Sequence, residues 1–273
     1  EAGLKWAWVT EEDVPSLLVQ RVSRLRGAAG LCTGFLRYIV ASQGFTGYIR
    51  PIVTGVSVPH VSGLQIQDFR FRLPPMDVQR KITSILSAYD YLIENNLRRI
   101  KILEEMAQSL YKEWFLDFRF PGREGVALVD SSLGPVPERW TVESLGRSVD
   151  VDKGVSYKGE YLTDDGTPMV NLKCFRPEGG FSSDGLKGYS GPLKQHQLVK
   201  PGEVVVANTD LTQAGNIVGS AGIVPCVDGV ETMAFTHHVY AVRPKISAGL
   251  PSLYLYHLLL TPEYKAFARG RAI

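Results

Sequence analysis

The most regular hydrophobic pattern in the chain lies between residues 76 and 116. Apolar side chains recur there at alternating spacings of four and three residues, which is the heptad pattern of a coiled-coil helix. No glycine or proline interrupts the stretch, and Pro74 and Pro75 stand directly before it, where missing N–H groups cost a helix least. The pattern predicts one helix from Met76 to about Leu116, roughly 60 Å long at 1.5 Å per residue.

The heptad rows leave an apolar stripe that must be covered. A lone amphipathic helix is only marginally stable in water, and the sequence contains no second helical segment of comparable length. We therefore predict that the stripe pairs with another segment or chain; the alternative is a helix lying on the sheet of its own domain. Asn96 stands in the middle of the seam, where a polar residue fixes register at a cost in stability. The predicted helix-pairing residues are Ile82, Leu86, Tyr89, Ile93, Asn96, Ile100, Leu103, Leu110 and Trp114.

Beyond residue 135 the pattern changes to short apolar runs separated by glycine-rich turns. Runs such as "GTPMVNLKCF", "GEVVVANTD" and "GNIVGSAGIV" are typical of short strands, and Pro201-Gly202 and Asp228-Gly229 mark turns between them. The sequence therefore predicts an α+β fold, in which domains of short strands and helices are joined by the long coiled-coil-forming helix.

Segments on either side of the helix look like one unit repeated. "GLCTGFLRYIVASQGFTGYI" (30–49) aligns with "GLPSLYLYHLLLTPEYKAF" (249–267) at an offset of 219 residues, and "LVQRVSRLR" (18–26) resembles "FTHHVYAVR" (235–243) at an offset of 217. Each copy predicts a strand followed by two short helices. The long helix follows only the first copy, so we expect an equivalent second helix to lie beyond this chain.

Composition and missing motifs exclude several classes of protein. The 273 residues are 44% hydrophobic and carry a net charge of +2, and no apolar run is long enough to cross a membrane. Phosphate-loop, nucleophile-elbow, zinc-protease and dinucleotide-binding motifs are absent, as is the Asn/Asp-Pro-Pro-aromatic tetrapeptide of amino-methyltransferases. The histidines are too scattered for a metal site, and three separated cysteines suit buried, reduced thiols in the cytoplasm. We expect no metal site and no catalysis in this chain.

Four segments carry a resemblance to the DNA-specificity subunits of type I restriction–modification systems. "VPHVSGLQIQDFRFRLPPMDVQRKI" resembles that family's junction between a recognition domain and a long helix. "MAQSLYKEWFLDF" resembles the end of the helix, "LGPVPERWTVESLG" the start of the next recognition domain, and "GLPSLYLYHLLLTPEYKAF" its helical part. The P-P-x-x-x-Q-R-K-I helix entry is quite specific. Relative to the family, the chain lacks the start of the first recognition domain and the second helical region.

The resemblance implies a domain organisation and a set of partners. Residues 1–72 would be the C-terminal part of a first target-recognition domain, 73–120 a conserved helix that spaces the domains and docks other subunits, 121–134 a linker, and 135–273 a second target-recognition domain. Each recognition domain would read one half of a bipartite site in double-stranded DNA. The long helix would pair with a second long helix, from the missing C-terminal region or from another copy.

The same resemblance implies that the chemistry belongs to other chains. Modification subunits would dock on the helical regions and bring S-adenosylmethionine for adenine methylation. Restriction subunits would add ATP- and Mg-dependent translocation and cleavage. The chain itself would therefore be a non-catalytic subunit without a cofactor.

Polar loops after the predicted strands are the candidates for DNA contact, because base edges are read by amides, guanidiniums, hydroxyls and ammonium groups. For the loop of Lys153, Tyr157 and Lys158, one interpretation is contact with DNA phosphates. For Lys173 and Arg176 the alternative is an ordinary exposed loop. For Asn208, Thr209 and Gln213 the alternative is turn hydrogen bonding. Of the adjacent His237 and His238, we expect one to be structural and one exposed. The predicted DNA-binding residues are Lys153, Tyr157, Lys158, Lys173, Arg176, Asn208, Thr209, Gln213 and His60.

Two other functions stay open on the sequence. One is a fragment of a fused restriction–modification enzyme with its own methyltransferase or nuclease activity, which turnover by the isolated chain would support. The other is a structural coiled-coil adaptor, which oligomerisation without DNA binding at low salt would support.

Overall fold

A computed structural model of the chain describes residues 5–20, 22–52, 61–211 and 215–270. The polypeptide divides into two units, Glu1–Ile102 and Leu103–Ile273, and the boundary falls inside the longest helix. Helices and strands both occur, which confirms the predicted α+β class.

The described elements of the first unit are helical. α1 (Thr33–Ala41) is followed by α2 (Gln43–Ile52) and α3 (Gly63–Gln67), and α4 (Met76–Tyr111) begins directly after the two prolines. α4 contains 36 residues, about 54 Å at 1.5 Å per residue, and continues into a π-helical turn at Lys112–Leu116. The predicted helix from Met76 to about Leu116 is confirmed.

One buried side chain joins the start of α1 to the start of α4. Gln79 is fully buried, and its Oε1 accepts a hydrogen bond from the amide of Cys32 at 2.8 Å. Its Nε2 donates to the carbonyl oxygens of Gly30 and Pro74, both at 2.8 Å. Gln79 is the glutamine of the P-P-x-x-x-Q-R-K-I helix entry. An amide side chain is needed there because it offers an acceptor and two donors at once.

The second unit contains the strands and three further helices. The described strands are β1 (Leu128–Val129), β2 (Val136–Pro137), β3 (Val149–Lys153), β4 (Leu162–Thr163), β5 (Thr167–Val170), β6 (Lys187–Tyr189), β7 (Leu198–Val199), β8 (Val204–Ala207), β9 (Ala221–Ile223), β10 (Met233–Phe235) and β11 (Val239–Pro244). The helices are α5 (Leu145–Ser148), α6 (Ser252–Leu259) and α7 (Pro262–Arg269).

Two sheets form the body of this unit. One has five strands in the order β4–β6–β5–β10–β7, the other has four in the order β3–β11–β8–β9, and β1 pairs with β2 separately. Neighbours are antiparallel except β5 with β10, which are parallel. Short strands after residue 135 are therefore confirmed.

The four-stranded sheet is covered on both faces. Val205 and Ala241 pack with core residues of the five-stranded sheet, and Val204 and Val242 pack against Leu255 and its neighbours on α6. Successive side chains of a strand point to opposite faces, so a strand covered on both sides needs an uninterrupted apolar run. The run "VVVA" in β8 meets that requirement.

The repeat extends to individual hydrogen bonds. α6 and α7 begin 219 residues after α1 and α2. Ser42 and Thr261, which precede the second helix of each copy, make the same two bonds. Each hydroxyl donates to the carbonyl oxygen three residues before it and accepts the amide three residues after it. The predicted pair of helices in each copy is confirmed.

The predicted strand of the first copy is not formed. Residues 235–243 contain the last residue of β10 and most of β11, and β3 and β8 pair with the two edges of β11. The corresponding residues 18–26 contain no strand within the described range, and Val22 and Leu25 are exposed. A strand needs partners for its N–H and C=O groups, and no described segment of the first unit pairs with this one. The strand prediction was wrong for the first unit.

The three thiols differ more than the sequence suggested. Cys174 is buried, and burial raises the pKa of its thiol to about 11. Cys32 is half-buried, whereas Cys226 is exposed. The expectation of three buried cysteines is therefore wrong for Cys226, which follows β9 in a surface loop.

Aromatic side chains anchor the end of α4 within the second unit. The ring of Phe115 lies 4.9 Å from that of Tyr254 on α6 and 5.9 Å from that of Trp140, measured between centroids. Phe118 and Phe120 add contacts to Trp140 at 5.3 and 5.9 Å. The segments "MAQSLYKEWFLDF" and "LGPVPERWTVESLG" therefore meet around one tryptophan.

His257 makes this anchor sensitive to acid. Its Nδ1 lies 2.8 Å from Oε1 of Gln108, and burial lowers the pKa of its imidazole below 6.5. The unfolded chain then binds the proton more readily, so stability is full above about pH 6.5 and falls as the pH drops below it. We expect His257→Asn to flatten the pH dependence of thermal unfolding between about pH 7 and 5. The exposed His196→Asn is the control, and a pH profile unchanged by His257→Asn would contradict this assignment.

Candidate nucleic-acid interface

The turn between β10 and β11, residues 236–238, is the meeting point of several strand ends. β3 ends on one side of β11, with Lys153 in register with the second residue of β11. β8 ends on the other side, where the main-chain amide of Asn208 donates to the carbonyl oxygen of His238 at 3.0 Å. The side-chain amide of Asn208 donates to the carbonyl oxygen of His237 at 2.9 Å. The loops leaving β3 and β8 therefore start at the same edge of the sheet.

A glycine allows β3 to reach the five-stranded sheet at this turn. A Cβ added at Gly154 would lie 2.2 Å from the carbonyl oxygen of Phe235 and 2.3 Å from that of Thr236. The next residue, Val155, donates its amide to Phe235 at 2.8 Å and accepts the amide of His237 at 3.0 Å. Any larger residue at position 154 would push the end of β3 away from the turn.

Two predicted DNA-binding residues, Lys153 and Asn208, lie at the turn. Lys153 is exposed and forms no ion pair within the described residues. Asn208 is half-buried, and its amide is engaged by the carbonyl oxygen of His237. Thr209 comes next and is also half-buried, with its hydroxyl 3.5 Å from the carbonyl oxygen of Asp210.

Tyr157 and Lys158 lie in the loop that follows β3. The ring of Tyr157 is half-buried and packs edge-on to Tyr189 at 6.2 Å. Lys158 is exposed, with its Nζ 3.9 Å from Glu160. In this loop the tyrosine side chain packs against the core, and the lysine side chain extends into solvent.

Lys173 and Arg176 lie in the loop that follows β5. Asn171 orders the start of that loop, because its side chain accepts the amide of Lys173 at 2.9 Å and donates to Gly185 at 2.6 Å. Both cationic residues are exposed. Burial raises the pKa of the Tyr256 phenol, and the guanidinium of Arg176 acts against that rise.

Two predicted contacts, His60 and Gln213, lie outside the described residues. The DNA-binding roles of all nine predicted residues stay predictions. What the structure adds is their placement: Lys153, Asn208 and Thr209 at one turn, Tyr157 and Lys158 in the next loop, and Lys173 and Arg176 after β5.

The turn itself carries groups that the sequence-based selection left out. The rings of His237 and His238 are in contact, with centroids 3.8 Å apart and planes tilted by 41°. Nδ1 of His237 and Oγ1 of Thr236 are buried and have no hydrogen-bond partner within the described residues. Tyr240, the second residue of β11, is 36% exposed. The strand alternation offered a signal for it, since Tyr240 stands between the apolar Val239 and Ala241.

The predicted helix-pairing residues line an exposed face of α4. Ile82 and Trp114, at the two ends, are half-buried, and Asn96 is exposed. The other apolar residues of the set are exposed. Their exposed fractions are 37% for Leu86, 63% for Tyr89, 59% for Ile93, 51% for Ile100, 62% for Leu103 and 45% for Leu110. Apart from Asn96, the row presents exposed apolar side chains along the helix, and its role in helix pairing stays a prediction.

The described ranges contain no group of three or more His, Cys, Asp or Glu side chains that could hold a metal ion. Within the same ranges, no helix is both long and apolar enough to cross a membrane.

Known proteins with similar sequences are specificity subunits. No protein-family model matches the chain. Over 178 residues it is 29% identical to the type I restriction enzyme MjaIX specificity subunit of Methanocaldococcus jannaschii, covering 62% of this chain and 41% of that protein. Over 221 residues it is 24% identical to the MjaVIII specificity subunit of the same organism, covering 80% and 50%. The chain thus spans half or less of the length of these relatives.

A solved structure also aligns with the chain. The type I restriction–modification S subunit from M. genitalium is 12% identical, with a TM-score of 0.45, and the alignment covers 89% of this chain and 56% of that one.

Proposed function

We propose that this chain, a relative of the specificity subunits of type I restriction enzymes, is a DNA-reading part of such a subunit. The observation that carries the proposal is its similarity to two named specificity subunits over 62% and 80% of its length. The strand-end turn supports it, because an exposed lysine lies there beside neutral hydrogen-bonding groups. Lysine contacts phosphate, and neutral polar groups read base edges.

In this proposal the domain over 135–273 reads one half of a bipartite site in double-stranded DNA. A first recognition domain, to which residues 1–72 belong, reads the other half. α4 pairs through its exposed apolar face with a second long helix, from sequence beyond this chain or from another copy. A helix of about 54 Å matches about one and a half turns of duplex at ~34 Å per turn, so the half-sites are separated by base pairs that are not read.

The proposed role is non-catalytic and cytoplasmic. Modification subunits dock on the helical regions and supply S-adenosylmethionine and the methyl transfer. Restriction subunits supply the ATP- and Mg-dependent steps. This chain contributes the choice of sequence and the placement of those partners on DNA.

Mapping methylated positions in DNA exposed to the complete complex tests the function. We expect a bipartite methylated motif with a fixed spacer, whereas a continuous motif would count against two recognition domains. Binding of specific duplex should sharpen when the modification subunit is added. Methyl transfer or cleavage by the isolated chain would establish the enzyme alternative, and oligomers that ignore DNA at low salt would establish the adaptor.

A further inference from the structure

Two positions of β11 carry the same residue type in both copies of the sequence repeat. At the offset of 217, Val22 corresponds to Val239, and Arg26 to Arg243. In the second unit Val239 is fully buried between the sheets, and Arg243 is bonded to carboxylates on neighbouring segments. These two residues hold β11 in place in the second unit.

At the turn and at the first outward position of β11, the two copies carry different residues. They are His237, His238 and Tyr240 in the second copy, and Gln20, Arg21 and Ser23 are their counterparts in the sequence of the first copy. The copies also differ at the buried position of Ala241, where the first copy has Arg24.

The structure puts Tyr240 and Lys153 on one exposed face. They are directly paired between β11 and β3, and paired residues of neighbouring strands share a face. Their faces turn away from the inter-sheet core that holds Val239. The neighbouring Asp152 is bonded to Arg243. Lys153 places an exposed positive charge at this end of β3.

His238 lies next to this pair, and its imidazole can form hydrogen bonds. Its main-chain carbonyl is fixed by Asn208, and its ring is held against His237. Burial lowers the pKa of its imidazole, and the neighbouring His237 and Lys153 lower it further. A neutral imidazole has one donor and one acceptor, which suits a base edge better than a phosphate.

We propose, on the basis of the function inferred above, that His238 reads a base edge in the half-site of the second recognition domain. Lys153 and Tyr240 contact the sugar-phosphate backbone beside it. His237 and Asn208 are positioning residues, which hold the turn so that the His238 ring faces the DNA.

The test uses the full chain with its modification subunit and a library of randomised duplexes. His238→Arg introduces the first-copy residue type, and it should change the preferred base in one half-site while the other half stays as in the wild type. Lys153→Ala should weaken binding to all sequences alike and reduce the salt slope by about one. Tyr240→Ala should weaken binding about tenfold, because a hydrogen bond to a charged phosphate is lost, without changing the preferred sequence.

Matched controls come from elsewhere on the same unit. Lys187→Ala removes an exposed lysine of β6, and Tyr161→Ala removes a tyrosine that is, like Tyr240, 36% exposed. Both should leave affinity and preference as in the wild type. Circular dichroism verifies that each variant is folded, and His238→Gln provides a second neutral reader if the arginine is not tolerated.

The outcomes separate this inference from the proposed function. A wild-type complex without sequence preference on any duplex overturns the function and the inference together. A wild-type preference that His238→Arg and His238→Gln both leave unchanged in folded protein overturns the role of His238 alone. Equal losses in Lys153→Ala and Lys187→Ala overturn the assignment of Lys153.

Discussion

Replacing Gln79 with leucine is expected to destabilise the first unit by about 3 kcal/mol or more, because three backbone groups lose their hydrogen-bond partner inside the protein. Leucine fills a similar volume but cannot serve the amide of Cys32 or the carbonyl oxygens of Gly30 and Pro74. The loss should appear as a lower urea midpoint and as faster hydrogen exchange at the Cys32 amide. It should also loosen the entry into α4.

Two further variants make this test specific. Gln67→Leu changes an exposed glutamine of α3 and should shift stability by no more than about 0.5 kcal/mol. Gln79→Glu keeps an acceptor for Cys32 but replaces the donor to Gly30 and Pro74 with a carboxylate oxygen, so it should also be destabilising. A leucine variant as stable as the wild type would mean that the three backbone groups find other partners.

The long helix was predictable because its signal is local. Heptad spacing, two preceding prolines and the absence of glycine all lie within the helix or next to it, and α4 begins at the predicted residue. The reason for the glutamine in the helix entry was not predictable, because Cys32 and Gly30 are 47 and 49 residues away. Residues 18–26 show the same limit, since a strand forms only where partners complete its ladder.

The sequence predicted which loops form the candidate interface, but it did not predict which side chains those loops expose. Lys153 and Asn208 each follow a strand that neighbours β11, so the sheet order brings them to one turn. Local periodicity in the sequence predicts the strands, but it does not predict the order in which they pair in the sheet. The exposure of Tyr240 and the electrostatic influence of Arg176 on Tyr256 depend on that order, and they emerged only with the fold.

Arg243→Met is expected to destabilise the second unit by about 2–3 kcal/mol, because it leaves carboxylates without their counter-charge in a partly buried site. Arg243 is 23% exposed; its Nε lies 2.7 Å from Glu203, its Nη1 bonds Asp152, and its Nη2 donates to Leu198 at 2.6 Å. One side chain thus ties β11 to β3, to the start of β7 and to the turn before β8. The partial exposure keeps the expected loss below the ~3–5 kcal/mol that follows when one partner of a fully buried pair is removed.

Lys245→Met is the matched control, since this cation follows β11 directly and its Nζ is 3.7 Å from an Asp150 carboxyl that is 68% exposed. An exposed pair of this kind contributes about 0.5 kcal/mol or less, and its effect should fade at high salt, whereas the Arg243 loss should persist. Adding Asp152→Asn and Glu203→Gln to Arg243→Met should recover part of the loss, because the uncompensated charges are then gone. Equal urea midpoints for the Arg243 and Lys245 variants would contradict the network. Arg243 lies on β11, five residues after His238 in the turn that precedes the strand. A stable, folded Arg243 variant with altered DNA preference would therefore show that this network also positions the turn.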